Sequence, residues 1–114
     1  MSRLMSVALT EDAVRSRRKT VTRRKGWTFL RPGDRLTLCR KVMGRKPGEP
    51  LVRIAEVEVV SAWRSRLGAI VPDDVAREGF EGWTPEQFVD FFTDHMGGDA
   101  EQEVTRIEWR YLDA

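Results

Sequence analysis

The chain has 114 residues, 40% of them hydrophobic, with one cysteine and one histidine. That length fits a single domain, residues 1–114, with one modest core. The absence of an apolar run of about 18 residues argues against a membrane span, and the N-terminus does not resemble a secretory signal. Because Cys39 is alone and only one histidine is present, an internal disulfide and a Cys/His zinc cluster within one chain are excluded. A Mg²⁺ held by carboxylates is not excluded by these counts. We expect no metal, no cofactor and a cytoplasmic location.

The net charge is only +2, but the charges are unevenly distributed. Residues 1–46 hold 14 Lys/Arg and 3 Asp/Glu, whereas residues 47–114 hold 6 and 15. Seven of the thirteen residues in RSRRKTVTRRKGW, positions 15–27, are basic. Such clustering is typical of a face that binds a polyanion, unless the two halves of the chain interleave in the fold and neutralise each other.

The first half of the chain predicts strands around one short helix. Residues 5–9 form a short strand, and the helix begins after Thr10 as N-cap, with basic residues at its C-terminal end. TVTRR at 20–24 is prone to form a strand. The RPGD turn then leads to a strand over 35–42, followed by a Gly/Pro-rich hairpin loop at 43–50.

The second half contains the most clearly marked elements. Residues 51–63 predict a strand whose apolar positions change parity near 54–55, which indicates a bulge or a switch of face there. A short helix follows, capped by Asp73 or Asp74, and then a longer helix that begins at Thr84 with a capping box and ends at Gly97. Residues 103–112 predict the last strand. We expect the core to include the aromatic residues Trp63, Trp83, Trp109, Phe88, Phe91 and Phe92.

The resulting order, β-α-β-β-β-α-α-β, indicates an α+β fold with a strongly bent sheet or a small barrel. His95 lies near the apolar stripe of the long helix and is interpreted as structural. Cys39 is expected to be buried and unreactive within its strand.

Several stretches resemble a known family and together run from about Ser6 to Leu112: KTVTRRKGWTFLRPGDRLTL, KVMGRKPGE, EVEVVS, DDVAREGF, TPEQFVDFF, HMG and EVTRIEWR. They resemble ASCH domains of the PUA-like superfamily, and in particular the stand-alone ASCH proteins of phages and actinobacteria. The resemblance implies a small PUA-like β-barrel of about five or six strands, with two or three short helices and a cleft between barrel and helices.

The same resemblance implies binding of RNA or modified bases. One ASCH branch, the bacterial N4-acetylcytidine amidohydrolases, is associated with a lysine, a threonine three residues later and a distant glutamate. Matched by motif, these fall on Lys19, Thr22 and Glu78, which gives the predicted catalytic set. A threonine hydroxyl needs a neighbouring base, and a lysine can be that base only when its pKa is lowered. Residues three apart on a regular strand point to opposite faces, so Lys19 must precede the strand or the strand must bulge.

A second set of residues is predicted to contact nucleic acid. Arginine binds phosphate with a planar fork, and tryptophan can stack on a base. Trp27 is equally compatible with packing beneath the FLRPGD turn, and the cations with a solvated face. The predicted set is Arg17, Arg18, Arg23, Arg24, Lys25, Trp27, Arg40, Lys41, Arg45 and Lys46.

Three functions follow from the sequence. The favoured one is a module that binds RNA, single-stranded nucleic acid or a nucleotide, with a base in a cleft near Thr22. The alternative is an amidohydrolase that acts on a modified nucleoside through Lys19, Thr22 and Glu78. The third is a phage-type adaptor whose acidic second half binds a host protein.

Overall fold

A computed structural model describes residues 2–113 of the chain. Their strands are β1 (Arg3–Ser6), β2 (Val21–Arg24), β3 (Arg35–Cys39), β4 (Arg53–Arg66) and β5 (Glu103–Tyr111). Their α-helices are α1 (Glu11–Arg15), α2 (Pro72–Arg77) and α3 (Pro85–Met96), and single 3-10 turns cover Ala8–Thr10 and Leu67–Ala69. Among these residues we find no helix with the length and apolar character needed to cross a bilayer.

The five strands form one curled sheet in the order β1-β3-β4-β5-β2. β1 runs parallel to β3, and the other neighbours are antiparallel. The two edge strands are joined by a side chain, since Arg24 Nη2 donates to the Ser6 carbonyl at 2.8 Å. This curled half-barrel with helices against it confirms the predicted α+β class and the small barrel-like fold.

Two bulges bend the long central strand β4. Leu38 pairs with Ala55 and Cys39 with Arg53, which leaves Ile54 as the extra residue, where the change of parity predicts a bulge. A second irregularity lies opposite β5 between Val59 and Ser61. A bulge increases local twist, so β4 can pair with both β3 and β5 while the sheet curls.

The apolar residues form two clusters. The larger one fills the concave side of the sheet beneath α1 and includes Leu36, Leu38, Val57, Ile107 and Trp109. The smaller one lies where α2 and α3 meet the ends of β4 and β5, and it consists of Leu67, Ile70, Val75, Phe88, Phe92 and Val104. Charged side chains lie between the two clusters, which is where the candidate site forms.

The first strand and the two short helices differ from the predictions in where they begin or end. The first strand lies earlier than 5–9, because the chain turns into a 3-10 helix after Ser6. α1 is only five residues long: Thr10 makes no side-chain cap bond, and Arg17 adopts a left-handed φ of 61° beyond the helix end. Neither Asp73 nor Asp74 caps α2, which begins with Pro72 as its first residue.

The long helix α3 confirms its prediction. Thr84 accepts from the Gln87 amide and the Gln87 side chain accepts from the Thr84 amide, which completes the capping box. Gly97 follows the last residue with a φ of 83°.

The prediction of a core position is wrong for two of the tryptophans. Trp109 is buried, but Trp63 is 50% exposed and Trp83 is 40% exposed. Trp63 lies on the outer face of β4, where its ring covers Arg106, and Trp83 packs edge-on against Phe91. Phe88 and Phe92 are buried as predicted, while Phe91 is only partly buried.

Candidate functional site

A cavity of about 270 Å³ opens between the 8–10 turn, β2 and the helices α2 and α3. Its volume is at the small end of ligand sites, which commonly measure about 300–1,000 Å³. Its polar side is formed by Lys19, Thr22, Arg23, Arg24 and Glu78, and its apolar side includes Leu9, Phe80, Phe88, Phe91, Phe92 and Met96. All three residues of the predicted catalytic set therefore line one cavity.

Lys19 and Glu78 form a buried ion pair at the base of the cavity. The Lys19 amine donates to Glu78 Oε1 and to the Glu78 carbonyl, each at 2.8 Å, and both side chains are 3% exposed. Burial lowers the pKa of Lys19 and the attraction of Glu78 opposes this, but neighbouring arginines add to the lowering, so the pKa stays below the usual lysine value.

The backbone explains why Lys19 points into the cavity. Lys19 lies in the turn before β2, where its amide N–H donates a hydrogen bond to the Ala13 carbonyl. Because Lys19 precedes the strand, strand alternation does not force it onto the face opposite Thr22. Its own carbonyl accepts from Trp109 Nε1 and from the Tyr111 hydroxyl. Gly79, with a φ of 106°, ends α2 close to α1: a Cβ there would lie 2.8 Å from that of Ala13. Glycine at 79 thus allows Glu78 to approach Lys19.

Thr22 faces the same cavity from β2 but is bonded to a different group. Its hydroxyl oxygen accepts from Arg24 Nε at 3.2 Å, and the residue is 2% exposed. Within residues 2–113 no hydrogen bond joins Thr22 to Lys19. The cavity is therefore lined by a hydroxyl and an amine, each of them bonded to another residue.

A second buried cluster supports the first. Arg23 of β2 and Arg106 of β5 lie directly opposite each other, and Asp74 of α2 receives a bond from each at 2.7 Å. Two like charges in register repel, so the carboxylate between them is needed. Burial raises the pKa of Asp74, but the hydrogen bonds and charges of both arginines outweigh that effect and hold it at about 2.

Arg23 connects the two clusters, since its Nη1 also lies 3.5 Å from Glu78 Oε2. Its side chain thus lies inside the protein, instead of on the basic face that the sequence predicts. Its Nε is buried without a hydrogen-bond partner. Asp74 and Arg106 could not be recognised as site residues from the sequence, because strand alternation places Arg106 on the polar face of β5 and cannot show that α2 covers it.

The remaining predicted nucleic-acid contacts are dispersed. Arg17 pairs with Asp113, Arg18 with Glu81 and Arg40 with Glu11, while Lys41 lies 3.6 Å from Glu49. Asp113, Glu81 and Glu49 belong to the acidic second half of the chain, which thus neutralises part of the basic first half. Lys25, Arg45 and Lys46 are exposed, and Trp27 is partly buried against the larger core cluster.

His95 is a cavity residue that the sequence analysis interpreted as structural. It lines the cavity, is exposed, and its Nδ1 is 2.9 Å from the Phe91 carbonyl, so Nδ1 donates and Nε2 is left available. Its ring lies 4.3 Å from that of Phe91. The spacing of Phe88, Phe91 and His95 along one helix face was the available signal. No group of three or more metal-ligating side chains occurs among the described residues.

No protein-family model matches the chain, and no curated protein matches it. Solved structures do resemble it. The ASCH domain of Lactobacillus crispatus is 12% identical with a TM-score of 0.64, over 96% of this chain and 79% of that one. ASCH from Zymomonas mobilis is 17% identical with a TM-score of 0.61, over 94% and 65%. Protein EF3133 of Enterococcus faecalis is 12% identical with a TM-score of 0.71, over 99% and 81%.

These identities are low, so the likeness concerns the fold. It covers nearly the whole chain. The chain has the fold of the ASCH domains, as its sequence predicts.

Proposed function

We propose that this protein is an ASCH-type module that binds a nucleobase in the cavity, from a modified nucleoside, a nucleotide or single-stranded RNA. The observation that carries the proposal is the composition of the cavity, which combines an aromatic wall with buried hydrogen-bonding groups. The lone, buried Cys39 suits a reducing compartment, and we place the activity in the cytoplasm.

The aromatic wall is suited to a flat ring. Phe80, Phe91 and His95 lie along one side, with ring centroids 5.0 Å apart for the phenylalanines and 4.3 Å for Phe91 and His95. Bases bind proteins by stacking on such side chains, and each stacked base contributes about 1–3 kcal/mol.

The polar side is suited to reading the edge of that ring. Thr22 offers a hydroxyl, Lys19 a third N–H beyond the two that bond to Glu78, and His95 the ring nitrogen Nε2. A buried polar group left unmatched by the ligand is costly, so a ligand with the wrong pattern of donors and acceptors is rejected.

The exposed cations are the proposed contacts for phosphates of a longer strand. Because Arg17, Arg18 and Arg40 already pair with carboxylates, the proposal assigns most of the affinity to the cavity. The logarithm of the affinity for RNA should then fall only shallowly with the logarithm of salt concentration, about one unit for each phosphate contact.

The test is calorimetric titration with cytidine, N4-acetylcytidine and a short single-stranded RNA. Thr22→Val removes the hydroxyl but keeps the shape, and it should weaken nucleoside binding about tenfold. Thr20→Val is the matched control: Thr20 lies two residues away, outside the cavity lining, and bonds to Arg77. Equal affinities for the two variants, or no binding by the wild type, would contradict the proposal.

Hydrolysis is the second candidate function, favoured by the placement of Lys19, Thr22 and Glu78 around one cavity and by the lowered pKa of Lys19. In this proposal the neutral Lys19 amine takes the proton of Thr22, whose oxygen attacks the acyl carbon. The amine of cytidine then leaves with the proton that Lys19 took from Thr22, with Glu78 as its hydrogen-bond partner, and water hydrolyses the acetyl ester on Thr22 to release acetate.

Turnover of N4-acetylcytidine tests this second function. The wild type should release acetate and cytidine, and Lys19→Met and Thr22→Val should each lose that activity. Folded wild type that binds the compound without releasing acetate would leave binding as the function. A protein partner for the acidic half of the chain stays a prediction.

A further inference from the structure

The charges around the cavity do not balance. Four cations meet two carboxylates there, and the pair formed by Arg77 and Glu108 at the edge adds one charge of each sign. The cations are Lys19, Arg23 and Arg24, which line the cavity, and Arg106 in the adjoining cluster; the carboxylates are Glu78, which lines the cavity, and Asp74 in the adjoining cluster. The cluster thus carries an excess of two positive charges when Lys19 is protonated, and of one when the Lys19 amine is neutral.

Arg24 is the cation of this cluster without a carboxylate of its own. Within the described chain, Lys19, Arg23 and Arg106 lie within ion-pair distance of a carboxylate and Arg24 does not. Its Nε donates to Thr22 Oγ1 at 3.2 Å and its Nη2 to the Ser6 carbonyl at 2.8 Å. Neutral acceptors therefore hold the guanidinium in place without compensating its charge.

One end of the guanidinium is left available. Nη1 of Arg24 has no hydrogen-bond partner in residues 2–113, yet it is not among the unpartnered side-chain atoms that are closed off from solvent. Arg24 lines the cavity, and both N–H groups of Nη1 and the second N–H of Nη2 remain without a partner among residues 2–113.

A buried charge is costly unless it is paired. Burial lowers the pKa of Arg24, and the attraction of Glu78 works against that change. Because an arginine keeps its proton, the imbalance cannot be removed by titration of this group. A cleft with one excess sign of charge and low-dielectric walls attracts the opposite ion.

We propose that the cavity ligand carries a phosphate, and that Arg24 binds it through Nη1 and Nη2 while the aromatic wall holds the base. The base half of this statement rests on the proposed function. The phosphate half can be tested alone, and it would make Arg24 the residue that distinguishes a nucleotide from a nucleoside.

Inorganic phosphate is the first probe, titrated at constant ionic strength and followed by phosphorus NMR line width. The wild type should bind phosphate, and Arg24→Gln should weaken that binding at least tenfold, as expected for loss of a charge-assisted bidentate contact. Arg35→Gln, an exposed strand arginine outside the cavity lining, removes the same charge and should bind like the wild type. Equal affinities for all three proteins, or no binding by the wild type, would overturn the phosphate site.

Arg24 also joins the edge strands, so the melting temperature of each variant is measured first. Arg24→Lys keeps the positive charge but lacks the planar guanidinium that binds two oxygens at once. It provides a second test of the phosphate site if Arg24→Gln unfolds. It should bind phosphate more weakly than the wild type and more tightly than Arg24→Gln. Wild-type affinity in Arg24→Lys would contradict the bidentate contact.

Cytidine, its 5′-monophosphate and the dinucleotide CpC separate this inference from the proposed function. Tighter binding of the monophosphate than of cytidine, by about tenfold, supports the phosphate site. Equal affinity for cytidine and its monophosphate overturns the phosphate site and leaves the nucleobase pocket intact. If inorganic phosphate binds and the base adds no affinity, the nucleobase pocket is overturned and the phosphate site stands. If CpC binds as well as the monophosphate, the phosphate belongs to a strand; if it does not, the ligand is a free nucleotide.

Discussion

The buried and the surface ion pairs of this protein are made from the same residue types but differ in what surrounds them. Asp74 and Glu78 bond to Lys19, Arg23 and Arg106 inside the fold, whereas Arg66 and Glu101 meet in solvent, with side chains 54% and 75% exposed. Breaking a buried pair leaves an uncompensated charge in a medium of low dielectric, while water takes over from a lost surface partner. The charge run in the sequence therefore divides into a structural part and a solvated part.

The largest expected effect comes from Asp74→Ala, which leaves two arginines facing each other across β2 and β5. We expect the free energy of unfolding to fall by about 4–5 kcal/mol, at the upper end for a broken buried pair. Urea unfolding measures it. Glu101→Ala, which breaks the pair with Arg66, should cost about 0–1 kcal/mol. Comparable losses in both variants would remove the distinction between the two classes of pair.

A double-mutant cycle on Lys19 and Glu78 gives the next largest effect. Glu78→Gln alone should cost about 3 kcal/mol because it leaves the buried Lys19 amine without a carboxylate. Lys19→Met combined with Glu78→Gln should recover much of that loss, because neither buried charge of the pair remains. Additive losses in the double variant would show that the pair is not coupled. The affinity for the cavity ligand should be lower than that of the wild type in the single and in the double variant. A recovery of stability without a recovery of affinity would separate the role of the pair in folding from its role in binding.

A smaller effect is expected from pH. The pKa of Asp74 is about 2 in the folded protein and ~3.9 in an unfolded chain, so below pH 4 the unfolded state binds more protons. The stabilisation by Asp74 is complete above about pH 4 and is lost as the pH falls toward 2. The free energy of unfolding of Asp74→Asn should depend less on pH than that of the wild type between about pH 4 and pH 2. Asp90→Asn on the exposed side of α3 serves as the control and should retain the wild-type slope.

Much of the fold was predictable because its signals are local. The capping box at Thr84 and Gln87 depends on side chains three residues apart, and the bulge at Ile54 on a change of parity within one strand. The convergence of Lys19 and Thr22 required only that Lys19 precede β2, as it does. A family resemblance supplied Glu78, whose distance from Lys19 in sequence carries no local signal.

The sequence by itself determined the elements, their order, the α+β class and the residues most suited to chemistry. Only the tertiary structure decided which faces are covered. Alternation along β5 separates Arg106 from Ile107, but the packing of α2 on β2 makes the polar face an interior and turns Asp74 from an expected helix cap into a partner for two arginines. Trp63, which pairs with Arg106 across the sheet, stays half exposed. Periodicity records which residues share a face, and burial depends on what a distant part of the chain places against that face.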